Sequence, residues 1–200
     1  FQEQLKGELA EIELADLRRT VRKVASPQGA RVRMDGHEVL NFSSNDYLGL
    51  ANHVALKSAA SAAIEQFGAG SGAARLISGS QLPHHELESA LANFKGTEAA
   101  LTFSSGYAAA LGTLPALVGT GDVVVLDKLV HASLVDAAKL SGAKLRVCKH
   151  NDLADLARIL EWAAEQGGRT LVVAESVYSM DGDLAPLLNL VELKEQHGAW

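Results

Sequence analysis

From residue 99 onward, short apolar runs alternate with longer stretches of helical spacing, and this rhythm constrains the fold more than any other feature of the chain. Residues 99–103, Val123-Val124-Val125-Leu126, Leu145-Arg146-Val147-Cys148 and residues 170–174 read as strands. Helices are predicted from Gly106, from Ala132, from Leu153 to the stop at Gly167-Gly168, and over 186–196. Asn151-Asp152 supplies the cap of the third. Unbroken β-branched runs mean strands buried on both faces, so an α/β fold with a mostly parallel sheet flanked by helices is expected. The rhythm asks for one more strand at His197-Gly198-Ala199-Trp200, so the chain is expected to be a truncated one.

The first part follows another pattern. Residues 4–23 carry Leu5, Leu9, Ile12, Leu14 and Leu17 at the spacing of one amphipathic helix, broken at Ser26-Pro27-Gln28-Gly29. Two strand-like runs, residues 31–34 and 38–41, flank Asp35-Gly36 as a hairpin. A helix is predicted over 53–66, then a Gly/Ser-rich loop over 68–80, then a helix opened by Pro83.

Charge and composition narrow the function. The net charge is −6, and the one basic cluster, Arg18, Arg19, Arg22 and Lys23, is diluted by acidic neighbours, which argues against a nucleic-acid partner. No run is long enough for a membrane span. The single Cys148 excludes a disulfide framework, and Phe1-Gln2-Glu3-Gln4 lacks signal-peptide character, so a reducing, cytoplasmic setting is expected.

Ligands of open parallel sheets bind beyond the C-terminal strand ends. Four polar groups fall there: Ser104 to Tyr107, then Asp127, Lys128 and His131, then His150 to Asp152, then Glu175 to Asp183. Ser104-Ser105-Gly106 opens a helix with small residues and free amides, suited either to an anion or merely to close helix–strand packing. His131 stands at a helix start, as a cap or as an acid/base face against a bound ring. Asp181-Gly182-Asp183 lacks the downstream Glu of a calcium loop and reads as a turn.

Taken in order, several segments resemble the α-oxoamine synthases, acyl-CoA-dependent acyltransferases that use pyridoxal phosphate (PLP) on the fold-type-I aminotransferase scaffold. They are Asn41-Phe42-Ser43-Ser44-Asn45-Asp46-Tyr47-Leu48-Gly49-Leu50, Gly70-Ser71-Gly72, Ile77-Ser78-Gly79 and Phe103-Ser104-Ser105-Gly106-Tyr107. The match continues through His131-Ala132-Ser133-Leu134, His150-Asn151-Asp152 and Val177-Tyr178-Ser179-Met180-Asp181-Gly182-Asp183. Ser43 to Asp46 and Ser105 to Tyr107 look most like the branch that joins L-alanine to a pimeloyl thioester; sister branches use other amino acids and acyl chains.

The resemblance implies PLP held by Ser105, Gly106, Tyr107, His131 and Ser179, with His131 catalytic and Arg18, Asn45 and His131 on substrate. Arg19 competes with Arg18 for the pimeloyl carboxylate. The resemblance also implies a homodimer, with the 68–80 loop crossing to a second subunit. Residues 1–50 would form an N-terminal helix and hairpin segment, and 51–200 the first part of the large PLP-binding domain. The family's pyridine-pairing Asp and Schiff-base Lys would follow Trp200. A non-catalytic α/β binding protein is the alternative from another class.

Overall fold

The computed structural model describes residues 1–200, which divide into two units, Phe1–Glu86 and Leu87–Trp200. In the first unit, helix α1 spans Gln2–Leu14, shorter than the sequence spacing suggests. The chain turns out at Asp16, whose φ is +53°, and the Leu17 amide donates back to the Ile12 carbonyl at 3.0 Å. None of the apolar positions of α1 is buried, so no packing force extends the helix toward residue 23. The hairpin forms as expected. Strands β1, Arg31–Met34, and β2, His37–Leu40, pair antiparallel around Asp35 and Gly36, both at positive φ as a tight two-residue turn requires.

Helix α2, Val54–Phe67, is capped by the His53 ring, which accepts from the Ala55 amide at 3.3 Å. The Gly/Ser-rich loop contains an unexpected single π turn, Arg75–Gly79. Only glycine fits its end, because a Cβ on Gly79 would lie 1.9 Å from the Ala73 carbonyl oxygen. Helix α3, Leu82–Lys95, crosses the division between the units.

In the second unit, residues 99–103 form no strand, against the sequence reading. The Thr102 amide and hydroxyl instead both donate to Glu88 Oε1, at 2.9 and 3.0 Å. Helix α4 follows at Gly106–Leu117. Strand β3, Val123–Asp127, is buried at all five positions. After it come helix α5, Ala132–Ser141, strand β4, Lys144–Cys148, helix α6, Leu153–Ala164, strand β5, Thr170–Val173, and helix α7, Leu187–Gln196.

The sheet is parallel, in the order β4-β3-β5. The chain steps from β3 to β4 and then back across β3 to β5. Right-handed crossovers in opposite directions must put their helices on opposite faces. Accordingly Val124 and Leu126 pack with α4 and α5, while Val123 and Val125 pack with α6. As an outer strand, β4 leaves Lys144, Arg146 and Val147 exposed, unlike the fully buried strand the sequence suggested. The strand expected near residue 200 begins to pair: the Trp200 amide donates to the Thr170 carbonyl at 2.9 Å, and the Val172 amide to the Trp200 carbonyl at 2.8 Å.

The base of the sheet is braced by Asp122, which accepts from the Gly119 and Arg169 amides at 2.9 and 2.8 Å. Gly168 passes this brace at φ +82°, and a Cβ there would meet the Gly121 carbonyl oxygen at 2.5 Å. Gly168→Ala is therefore expected to lower unfolding stability by about 1–3 kcal/mol from backbone strain alone, read from denaturant unfolding.

Candidate functional site

Two helix N-termini open on one cleft of about 680 Å³ beyond the C-terminal strand ends, lined by Gly106 and Tyr107 from α4, His131 and Ser133 at the start of α5, and Glu175 after β5. Both termini are positive ends of helix dipoles, but they differ in what is left to bind.

At α5 the Ser133 and Leu134 amides are answered. His131 is the cap: its Nδ1 accepts from the Ser133 amide at 3.2 Å and lies 2.8 Å from the Ser133 hydroxyl. Its backbone amide donates to Glu175 Oε1. An N–H can only donate, so Nδ1 is an acceptor and a neutral ring carries its proton on Nε2. The two readings of His131 are thus compatible: one nitrogen caps the helix, and the ring still lines the cleft.

At α4 the cap leaves amides over. Ser105 Oγ accepts from the Ala108 amide at 3.1 Å, and its carbonyl from the Ala109 amide at 2.9 Å. The amides of Gly106 and Tyr107 have no protein acceptor. A Cβ added at Gly106 would meet no atom within 4 Å, so the backbone there faces open space. Unpaired amides, a positive dipole end and free approach make an anion site. Tyr107 ties the helices together, its hydroxyl donating to Asp136 Oδ2 at 3.1 Å, and that bond, with the carboxylate's charge, raises the phenol pKa.

A second cluster lies at the same end of the sheet. His150, after β4, bonds with both ring nitrogens: Nδ1 to Asp127 Oδ1 at 2.9 Å and Nε2 to Asp183 Oδ2 at 2.8 Å. These bonds raise the imidazole pKa against a smaller opposing effect of burial. Asn151, at φ +52°, donates its amide to Asp127 Oδ2 at 2.9 Å and its side-chain Nδ2 to Asp183 Oδ2 at 2.8 Å. Burial pushes Asp127 up, but the amides of Leu129 and Asn151 and the His150 ring together hold it below its usual value. Tyr178 packs edge-on against His150 at 4.5 Å, and burial, followed by the Asp127 charge, pushes its phenol up to about 12. His150, Asp181 and Asp183 offer ligand atoms within 4.8 Å of one another, yet both His150 nitrogens are committed to carboxylates, which favours the turn reading.

Of the residues singled out in the sequence, Gly106, Tyr107 and His131 line the cleft, with Ser105 at its edge as the α4 cap. Ser179 stands exposed in the turn after β5 and does not line it. Arg18 and Asn45 belong to the first unit. Arg18, four residues past the end of α1, pairs with Glu13 at 2.9 Å, and Asn45 is exposed. Glu175 stood among the polar residues expected beyond the fourth strand but was given no role, and Asp136 was not singled out.

The aminotransferase class I and II family model matches residues 37–200. The 8-amino-7-oxononanoate synthase of Geobacter sulfurreducens is 54% identical over 196 residues, covering 98% of this chain and 50% of the relative. That of Symbiobacterium thermophilum is 49% identical, covering 97% of this chain and 50% of the relative. Among solved structures, a serine palmitoyltransferase from S. paucimobilis with PLP and myriocin bound superposes with a TM-score of 0.90 at 33% identity, over 98% of this chain and 50% of that one. An 8-amino-7-oxononanoate synthase from Francisella tularensis gives 0.65 at 32%, over 76% and 41%. The chain spans about half the length of the curated relatives it matches.

Proposed function

The chain belongs to the aminotransferase class I and II family, and from that premise we propose that it carries part of a PLP-dependent acyltransferase. The reaction is the decarboxylative condensation of L-alanine with a pimeloyl thioester to 8-amino-7-oxononanoate, a step of biotin synthesis. The observation that carries the site is the pair of unanswered amides at Gly106 and Tyr107 on the cleft that His131 lines. They suit a dianionic phosphate without any lysine or arginine. The donor set therefore fits PLP, which supplies an electron sink for bond breaking at the amino-acid α-carbon.

Around it the residues divide the work. Gly106 and Tyr107 hold the phosphate, with the Ser105 hydroxyl free to donate its proton beside them. His131, on the wall of the cleft, would face the cofactor ring, with its Nε2 edge free for proton transfer. By the resemblance, Ser179 would donate to the ring oxygen and Asn45 would contact substrate. The choice of L-alanine and a pimeloyl donor is supported by relatives of that name at 45–54% identity. A reducing, cytoplasmic setting is part of the same reading; Cys148 is buried, and burial pushes its thiol up to about 11. No helix is long and apolar enough to cross a membrane.

Arg18 is assigned to the terminal carboxylate of the acyl donor. A guanidinium grips a carboxylate with two hydrogen bonds, and the exposed Glu13 pair is a weak competitor. Losing such a bond costs roughly 1.5–3 kcal/mol, so Arg18→Ala is expected to lower kcat/KM for pimeloyl-CoA about ten- to a hundredfold. An uncharged acyl-CoA of equal length should be unaffected. Assay of the full-length protein with L-alanine and a panel of acyl thioesters tests both points, and equal losses for both donors, or an effect only in Arg19→Ala, reject the assignment.

A homodimer is the second element of the reading. Leu76 and Ile77 in the π turn are 98% and 82% exposed, an arrangement better explained by a partner than by water. Sedimentation of the full-length protein is expected to show a two-fold dimer, and a fully active monomer would contradict it.

A further inference from the structure

We propose that His150 is a positioning residue: it clamps the turn after β5 and so fixes Ser179 for the cofactor. The proposal rests on the reading of Ser179 given above. Three separate chain segments meet at this one imidazole. Nδ1 bonds Asp127, the last residue of β3, and Nε2 bonds Asp183, at the far end of the turn that contains Ser179. Asn151 spans the same two carboxylates in parallel, through its own amide and its Nδ2.

Within that turn, the Tyr178 amide donates to the Asp183 carbonyl at 3.0 Å and the Gly182 amide to the Tyr178 carbonyl at 2.8 Å. Residues 179–181 are thus a closed loop whose two ends are pinned. One end is the Tyr178 ring, 1% exposed and edge-on to His150; the other is the Asp183 carboxylate. The exposed Ser179 has no packing of its own to set its place. Its position comes from the ends, and both ends lean on His150.

The chemistry of the clamp makes His150 hard to replace. Between two carboxylates the ring donates to one on each side only when it is protonated, and the same bonds favour that form by raising the imidazole pKa. Asp183 Oδ1 is buried and has no hydrogen-bond partner, so this carboxylate depends on the donors reaching Oδ2. Removing His150 leaves it with Asn151 alone. The groups facing the ring are Asp127, Asp183, Asn151 and Tyr178, with Asp181 within ligand distance.

The test uses the full-length protein with His150→Gln, Ser179→Ala and the double variant. In the cofactor-free protein, His150→Gln is expected to speed amide exchange at Tyr178 and Gly182 about tenfold, equivalent to roughly one lost hydrogen bond, with β3 amides unchanged. In the PLP-bound protein, Ser179→Ala is expected to shift the pH midpoint of the cofactor's visible absorbance band. His150→Gln should shift it the same way, and the double variant should add nothing further. Asp183→Asn serves as a second variant with the same expected pattern. A shifted band in Ser179→Ala with none in His150→Gln, or additive shifts in the double variant, overturns the positioning role alone. An unshifted band in Ser179→Ala overturns the reading of Ser179 and this role with it, whatever the exchange shows.

Discussion

Gly106→Val in the full-length protein is expected to weaken PLP binding by about 10²- to 10⁴-fold with the fold intact, the loss of two charge-assisted hydrogen bonds at roughly 1.5–3 kcal/mol each. The expectation separates binding from folding unusually well. Gly106 does not have a positive φ, and a Cβ built there meets nothing within 4 Å. Valine at the first position of α4 therefore strains neither the backbone nor the packing. What it fills is the space through which a phosphate would reach the Gly106 and Tyr107 amides. Titration of the cofactor-free variant with PLP, beside a thermal melt, gives both quantities. Unchanged affinity would remove the phosphate from the α4 N-terminus.

His131→Ala is expected to lower kcat for the condensation by about 10²- to 10⁴-fold, the usual contribution of one positioned acid/base group. The structural cost is smaller and can be stated in advance. His131 caps α5 through Nδ1, and loss of such a cap costs roughly 1 kcal/mol. His131→Asn restores a capping side chain without an imidazole. It should recover the stability and none of the rate. Recovery of both would assign His131 to the helix cap alone.

The parts of the fold that were legible in the sequence are those decided by their immediate neighbours. Val123 to Leu126 is a continuous β-branched and apolar run, and it is buried at every position on both faces. Asp35-Gly36 needed two positive φ values and has them. The helix starts expected near residues 53 and 106 are where they were read, and there His53 and Ser105 cap α2 and α4.

What was not legible depends on distant partners. Residues 99–103 have the composition of a strand but no adjacent strand to pair with among these residues, and Thr102 turns to Glu88 instead. Helix α1 has an apolar stripe that meets no core within its unit, so spacing overstated its length. The site was legible at Gly106, Tyr107 and His131, which open helices beside strand ends. The contacts of its carboxylates were not: Glu175 reaches His131 across 44 residues, and Asp136 reaches Tyr107 across 29. No local pattern encodes such separations: the crossing of the chain over β3 to β5 brings Glu175 to His131, and the packing of α5 beside α4 brings Asp136 to Tyr107.

That crossing also sorts the chain's tolerance to change. One core, under α4 and α5, carries the two helix ends that frame the cleft; the other, under α6, touches the same strand from behind. Sequence drift on the α6 side is paid in thermal resistance, whereas drift on the α4 and α5 side moves the amides themselves. Work on stability therefore has the α6 side of the sheet to repack, and changes that retune the cleft would leave their record on the other.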